Sequence, residues 1–153
     1  MNLVTTFEQY NPKYIHFLEP IKNTVIPNSN FVRIYYSNHD VTLNGIYLIT
    51  AINNTETEKY YNKYKCSFNK NDNYHIINQL KIFEEDILRK YKVNGKVPLT
   101  SLYNQLNQGS MKIFADSQDI FQNNMKFILK VSGIWENMNE YGITYKFIPI
   151  YCN

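Results

Sequence analysis

The sequence predicts a mainly β (α+β) fold with the element order β-β-β-α-β-β, and three observations carry that expectation. Between residues 31 and 68, β-branched and aromatic runs alternate with polar clusters. From about residue 73 to 91 the apolar residues switch to a helical period. Beyond residue 125, two long apolar runs, MKFILKVSGIW and YGITYKFIPIY, flank the polar stretch ENMNE. A chain of 153 residues with 44% hydrophobic content can bury one core and is short for two. Residues 31–153 are therefore expected to form a single domain, preceded by an arm over residues 1–30.

Residues 1–30 hold Pro12, Pro20 and Pro27 and show no sustained period, which predicts an irregular N-terminal arm. FVRIYYS reads as a strand closed by the polar NHD turn. In VTLNGIYLITAI, Asn44-Gly45 is a hairpin signal, but VTL and IYL are too short for two useful strands, so a glycine bulge or bend within one strand is expected. KYYNKYKCSFNK predicts a third strand. Successive strand side chains face opposite ways, placing Lys59, Tyr61, Lys63 and Lys65 on one face and Tyr60, Tyr64, Cys66 and Phe68 on the other.

Ile76, Leu80, Phe83, Ile87 and Tyr91 recur at spacings of four, three, four and four, which lines one face of an amphipathic helix. Asp72 or Asn73 is placed to cap its start, and Asn94-Gly95 lies where it ends. Glu84, Glu85 and Asp86 are assigned to its solvated face. PLTSLYNQLNQG predicts a short second helix from near Pro98, MKIFA a short strand and SQDIFQNN a loop or helical turn. Three strands, a helix and two strands is the connectivity of the five-stranded Greek-key barrel called the OB-fold. The expected architecture is accordingly a small antiparallel OB-like barrel.

The charge balance narrows the function. A net charge of +3 and a pI near 8.7 are far from a polybasic protein, so affinity for nucleic acid requires the lysines to gather on one face. No apolar segment approaches a membrane span and no secretory leader pattern opens the chain, so an intracellular, non-secreted protein is expected. Cys66 and Cys152 are too few for a disulfide framework and are expected reduced. His16, His39 and His75 lack ligand spacing, and no phosphate-cradling or nucleophile motif is present, so the expectation is a non-enzymatic protein with no metal and no cofactor.

Binding is better supported. A single strand is held by cations along its phosphates and by aromatic faces for its bases. The Lys59, Tyr61, Lys63, Lys65 face supplies both. In the closing hairpin, a register with Ile134 opposite Gly142 places Lys130 directly across from Lys146, and such like-charge pairs destabilise a sheet unless an anion joins them. Trp135 shares parity with Phe127, Leu129 and Val131, which predicts the end of a core-facing row; beside the hairpin turn it is also a candidate stacking surface. Arg33 and Tyr35 share a face and are candidates for phosphate contact and base stacking.

Taken with those patterns, SNFVRIYYSNHDVTLNGIYLI near the start and KFILKVSGIWENMNEYGITYKFI at the end resemble the single-stranded-DNA-binding proteins of nucleocytoplasmic large DNA viruses. The resemblance implies an OB-fold core, a role in viral-type DNA replication, a location in the host cytoplasm or viral factory, and further copies of itself or replication proteins as partners. The alternative from another class is a structural or assembly protein, a virion component or adaptor that holds a protein partner on the same barrel. A carbohydrate-binding β-protein would use the exposed tyrosines but has no need of the lysines.

Overall fold

The computed structural model describes residues 4–60, 63–113 and 125–150. Among these residues eleven strands form one mixed sheet. β1 (Ile15–Phe17) and β2 (Ile21–Lys22) come from the arm, followed by β3 (Asn30–Ser37), β4 (Thr42–Leu43), β5 (Ile46–Ile52), β6 (Glu56–Tyr60) and β7 (Lys63–Ser67). The main helix α1 (Tyr74–Tyr91) leads to β8 (Val97–Leu99), the short α2 (Ser101–Leu106), β9 (Ser110–Ile113) and the long hairpin β10 (Met125–Glu136) and β11 (Glu140–Ile150). The main path runs β1-β3-β10-β11-β9-β7-β6, with β2 and β4 on β3, β5 on β10 and β8 on β11.

The mainly β class and the single main helix stand as expected, whereas five antiparallel strands do not. The sheet is not closed, and β8 and β9 pair with β11 in parallel. The hairpin turn reverses β11 into the direction of β9, so a strand docking on β11 rather than β10 is parallel. The arm is less irregular than its prolines suggest. Leu18 donates its amide to the Arg33 carbonyl and Thr5 bridges to Leu48, so the arm is stitched to β3 and β5. Tyr10 stacks on Tyr36 and meets Phe83 edge-on.

The break at Asn44-Gly45 is real but divides two strands: β4 pairs with β3, and β5 pairs with β10. Gly45 has φ +113°, which glycine alone adopts freely, and a Cβ there would sit 3.0 Å from the Val131 carbonyl oxygen. KYYNKYKCSFNK is likewise two strands. β6 and β7 form a hairpin, and Lys59 sits opposite Tyr64. Directly opposed residues share a face, so Lys59 falls on the parity of the core residue Tyr64, away from Lys63 and Lys65. Tyr61 lies outside the described residues, as do Cys152 and SQDIFQNN.

The inner face of the sheet meets both helices. Val32, Ile34, Leu48, Phe127, Leu129, Ile134 and Phe147 are fully or almost fully buried against Leu80, Phe83 and Ile87 of α1 and Leu102 and Leu106 of α2. Truncating any of the large ones to alanine costs ~2–5 kcal/mol. Asn73 precedes α1 as expected but makes no capping bond; its side-chain amide instead pairs with the backbone of Asn53, accepting at 2.7 Å and donating at 3.0 Å. Glu84 corrects the solvated-face assignment. It is fully buried, and its two carboxylate oxygens accept from the amides of Leu102 and Tyr103, both at 2.9 Å.

Candidate nucleic-acid interface

The opposite, outer face of the sheet carries the cations. In β10 the pattern MKFILKV is buried at Met125, Phe127, Leu129 and Val131, leaving Lys126, Ile128 and Lys130 outward. Lys130 pairs directly with Lys146 of β11. Phe147 pairs in parallel with Ile113, which sets the preceding residues, Lys146 and Lys112, side by side, and Lys112 pairs directly with Lys65 of β7. Four lysines thus cross β10, β11, β9 and β7 in one transverse row. With strands ~4.8 Å apart the row spans roughly 14 Å.

One end of the row is closed by Tyr47 of β5, opposite Lys130, whose ammonium lies 5.4 Å from the ring centroid. Glu58 faces Lys65 at the other end. Among the described residues no ion pair engages Lys112, Lys130 or Lys146, and Glu58, opposite Lys65, is the one carboxylate placed beside the row. Like charges directly opposite one another each cost stability. Three successive contacts of this kind make sense for a face that meets an anion.

The register that predicted the Lys130–Lys146 pair is off by one at its origin. Ile134 opposes Ile143, and Trp135 opposes Gly142. A bulge between Val131 and Gly133 absorbs the difference. The same bulge inverts parity beyond Ser132, so Ile134 takes the core side and Trp135 turns outward, half-buried, instead of ending the core row. The indole lies flat on Gly142: a Cβ there would sit 2.9–3.0 Å from the ring. Phe31 covers Gly133 in the same way and stands opposite Trp135, with Arg33 exposed one row on, opposite Gly133.

Between the β8 pairing, which ends at Gly142, and the β9 pairing at Phe147, the edge of β11 opens into a cleft of about 510 Å³. Lys63, Lys112 and Lys146 line it with Trp135, Gln105 and Thr144, and no carboxylate does. A second cleft of about 420 Å³ beside the end of α1 also holds cations, but there Arg89 and Lys96 are already in ion pairs and Glu85 shares the wall.

The structure therefore brings together Lys63, Lys65, Lys130, Lys146 and Trp135. Arg33 shares their face. Tyr35 does too, but it pairs with His16 where β3 has left β10 for β1, and Lys59 is set apart by the hairpin. Sequence reasoning missed Lys112, although it lies between the buried Met111 and Ile113 of an expected strand, and the parity rule applied elsewhere would have found it. Tyr47 and Gln105 had no local signal; strand pairing and helix placement bring them in. No group of three or more His, Cys, Asp or Glu among the described residues could hold a metal ion, and no described helix is long and apolar enough to cross a membrane. No family model, curated protein or solved structure matches the chain.

Proposed function

We propose that this protein binds single-stranded nucleic acid, without catalysis, along the outer face of an OB-like sheet. The observation that carries the reading is the transverse row Lys130, Lys146, Lys112 and Lys65, in which cations face cations and no carboxylate intervenes. A phosphate chain lying across the strands relieves that repulsion, and each lysine engaged releases a counterion. Trp135, anchored on Gly142, and Phe31 beside it supply flat apolar surface at the end of the same face, which suits unpaired bases and not the closed stack of a duplex. The sharing of β3, which pairs with β10 through its first half and with β1 and β4 through its second, supports the OB-like part of the proposal.

The test is a titration with a labelled single strand of ~30 nucleotides and with its duplex at two salt concentrations. Salt-sensitive binding that favours the single strand is the expected result. Absence of binding to either at low salt overturns the reading. A second reading, a structural or assembly protein, is favoured by one feature: Ile21, Val25 and Ile26 of the arm are 55%, 85% and 47% exposed. A partner held there would stay bound at high salt, as an apolar contact does.

A further inference from the structure

We infer that the loop of the arm over residues 23–29, with Ile21 beside it, belongs to the strand-binding surface, where its apolar side chains cover the faces of unpaired bases whose phosphates lie on the lysine row. The inference rests on the single-strand reading and adds to it a wall from outside the main path of the sheet. Ile21 of β2 pairs with Phe31 of β3, and Phe31 pairs with Trp135 of β10. Directly opposed residues share a face, so the three form an apolar row on the outer side of the sheet. The cleft joins this row to the lysines, because Ile26 and Trp135 line it together with Lys112 and Lys146.

The loop is closed on itself. The Asn23 amide donates to the Ser29 carbonyl at 2.9 Å, and the Asn23 side-chain oxygen accepts from the amides of Val25 and Ile26. The hydroxyl of the buried Ser29 donates to the Ile26 carbonyl at 2.7 Å. These bonds order the loop while Val25 and Ile26 stand exposed, so little freedom is lost when a ligand covers them. The charge of the cleft selects the ligand: Lys63, Lys112 and Lys146 line it and no carboxylate does. An occupant that satisfies both kinds of wall brings anionic charge together with flat apolar area, and an unpaired nucleotide has both. The contact is with the ring face, which every base possesses, so it carries no preference among bases.

The experiment compares, by fluorescence anisotropy, a single strand of ~12 nucleotides with an abasic strand of the same length, which keeps the phosphates and lacks the bases. The proteins are the wild type, the double variant Val25→Ser with Ile26→Ser, and the double variant Val25→Leu with Ile26→Leu. The serine variant should bind the strand with bases about tenfold more weakly, as two lost apolar contacts imply, and the abasic strand as the wild type does. Its salt slope should match that of the wild type, because the lysines are intact. The leucine variant keeps the apolar wall and should bind within about twofold of the wild type. Both side chains are exposed, so the melting temperatures should agree and report that the variants fold. Wild-type binding of the serine variant, or a loss equal on both strands, overturns the role of the loop and leaves the lysine row standing. Failure of the wild type to bind either strand at low salt overturns both.

Discussion

Thr100 makes no side-chain capping bond to α2, and Glu84, eighteen residues upstream of Leu102, does that work from α1. Its carboxylate satisfies two amides that a short helix cannot satisfy itself. Glu84→Ala leaves both donors bare in the interior and should cost about 3 kcal/mol or more, read from urea unfolding. Glu84→Gln keeps one acceptor and should cost about half as much. Burial holds the Glu84 carboxyl above its ordinary value of 4.5, against the lowering effect of the two amide bonds. The folded form thus keeps its proton more tightly than the unfolded one, and the stability this group contributes is full below 4.5 and lost as pH rises through the raised value. Raising the pH from about 4 to about 7 should therefore narrow the advantage of wild type over Glu84→Gln in the urea midpoint. The residue was legible, yet misread: it lies four after Leu80 and three before Ile87, on the apolar stripe, and the acidic run Glu84-Glu85-Asp86 masked that spacing.

Within single elements, periodicity served wherever the chain runs without interruption. The helix α1, the alternation of β10 up to Val131 and the hairpin about ENMNE all follow from spacing. Interruptions were harder, because one extra residue reverses every face beyond it. The bulge after Val131 turned Trp135 outward, and the pairing of β6 with β7 moved Lys59 off the cationic face; neither leaves a pattern of its own in the alternation. Gly133 allows the β3–β10 contact. A Cβ there would lie 2.3 Å from the Val32 carbonyl oxygen, backbone that no side-chain rotation can move. Gly133→Ala should destabilise the fold by about 2 kcal/mol or more. At Gly142 the obstacle is the indole itself, so Gly142→Ala should lift Trp135 and shift its emission with a smaller loss of melting temperature.

Across the whole molecule the net charge of +3 is modest, and the proposed binding depends on how it is distributed. Lys112→Ala combined with Lys146→Ala should lower the magnitude of the salt slope for single-strand binding by about 1.4, at ~0.7 for each phosphate contact, while leaving the melting temperature of the free protein equal or higher because a repulsive pair is gone. The row could not be read from the sequence because its members lie 16 to 81 positions apart on four strands, and only their pairing aligns them. The row also crosses a seam. Among the described residues, the wing made of β6, β7 and β9 meets β11 through one register pair, Phe147–Ile113. Under the proposed function, an anion chain spanning Lys130 to Lys65 would act as a brace, tying the wing to the body of an open sheet. At a hundredfold excess over its dissociation constant it should add about 2.7 kcal/mol of stability. Amide hydrogen exchange in Met111–Ile113 should slow most of all, making the protein stiffest when it is loaded.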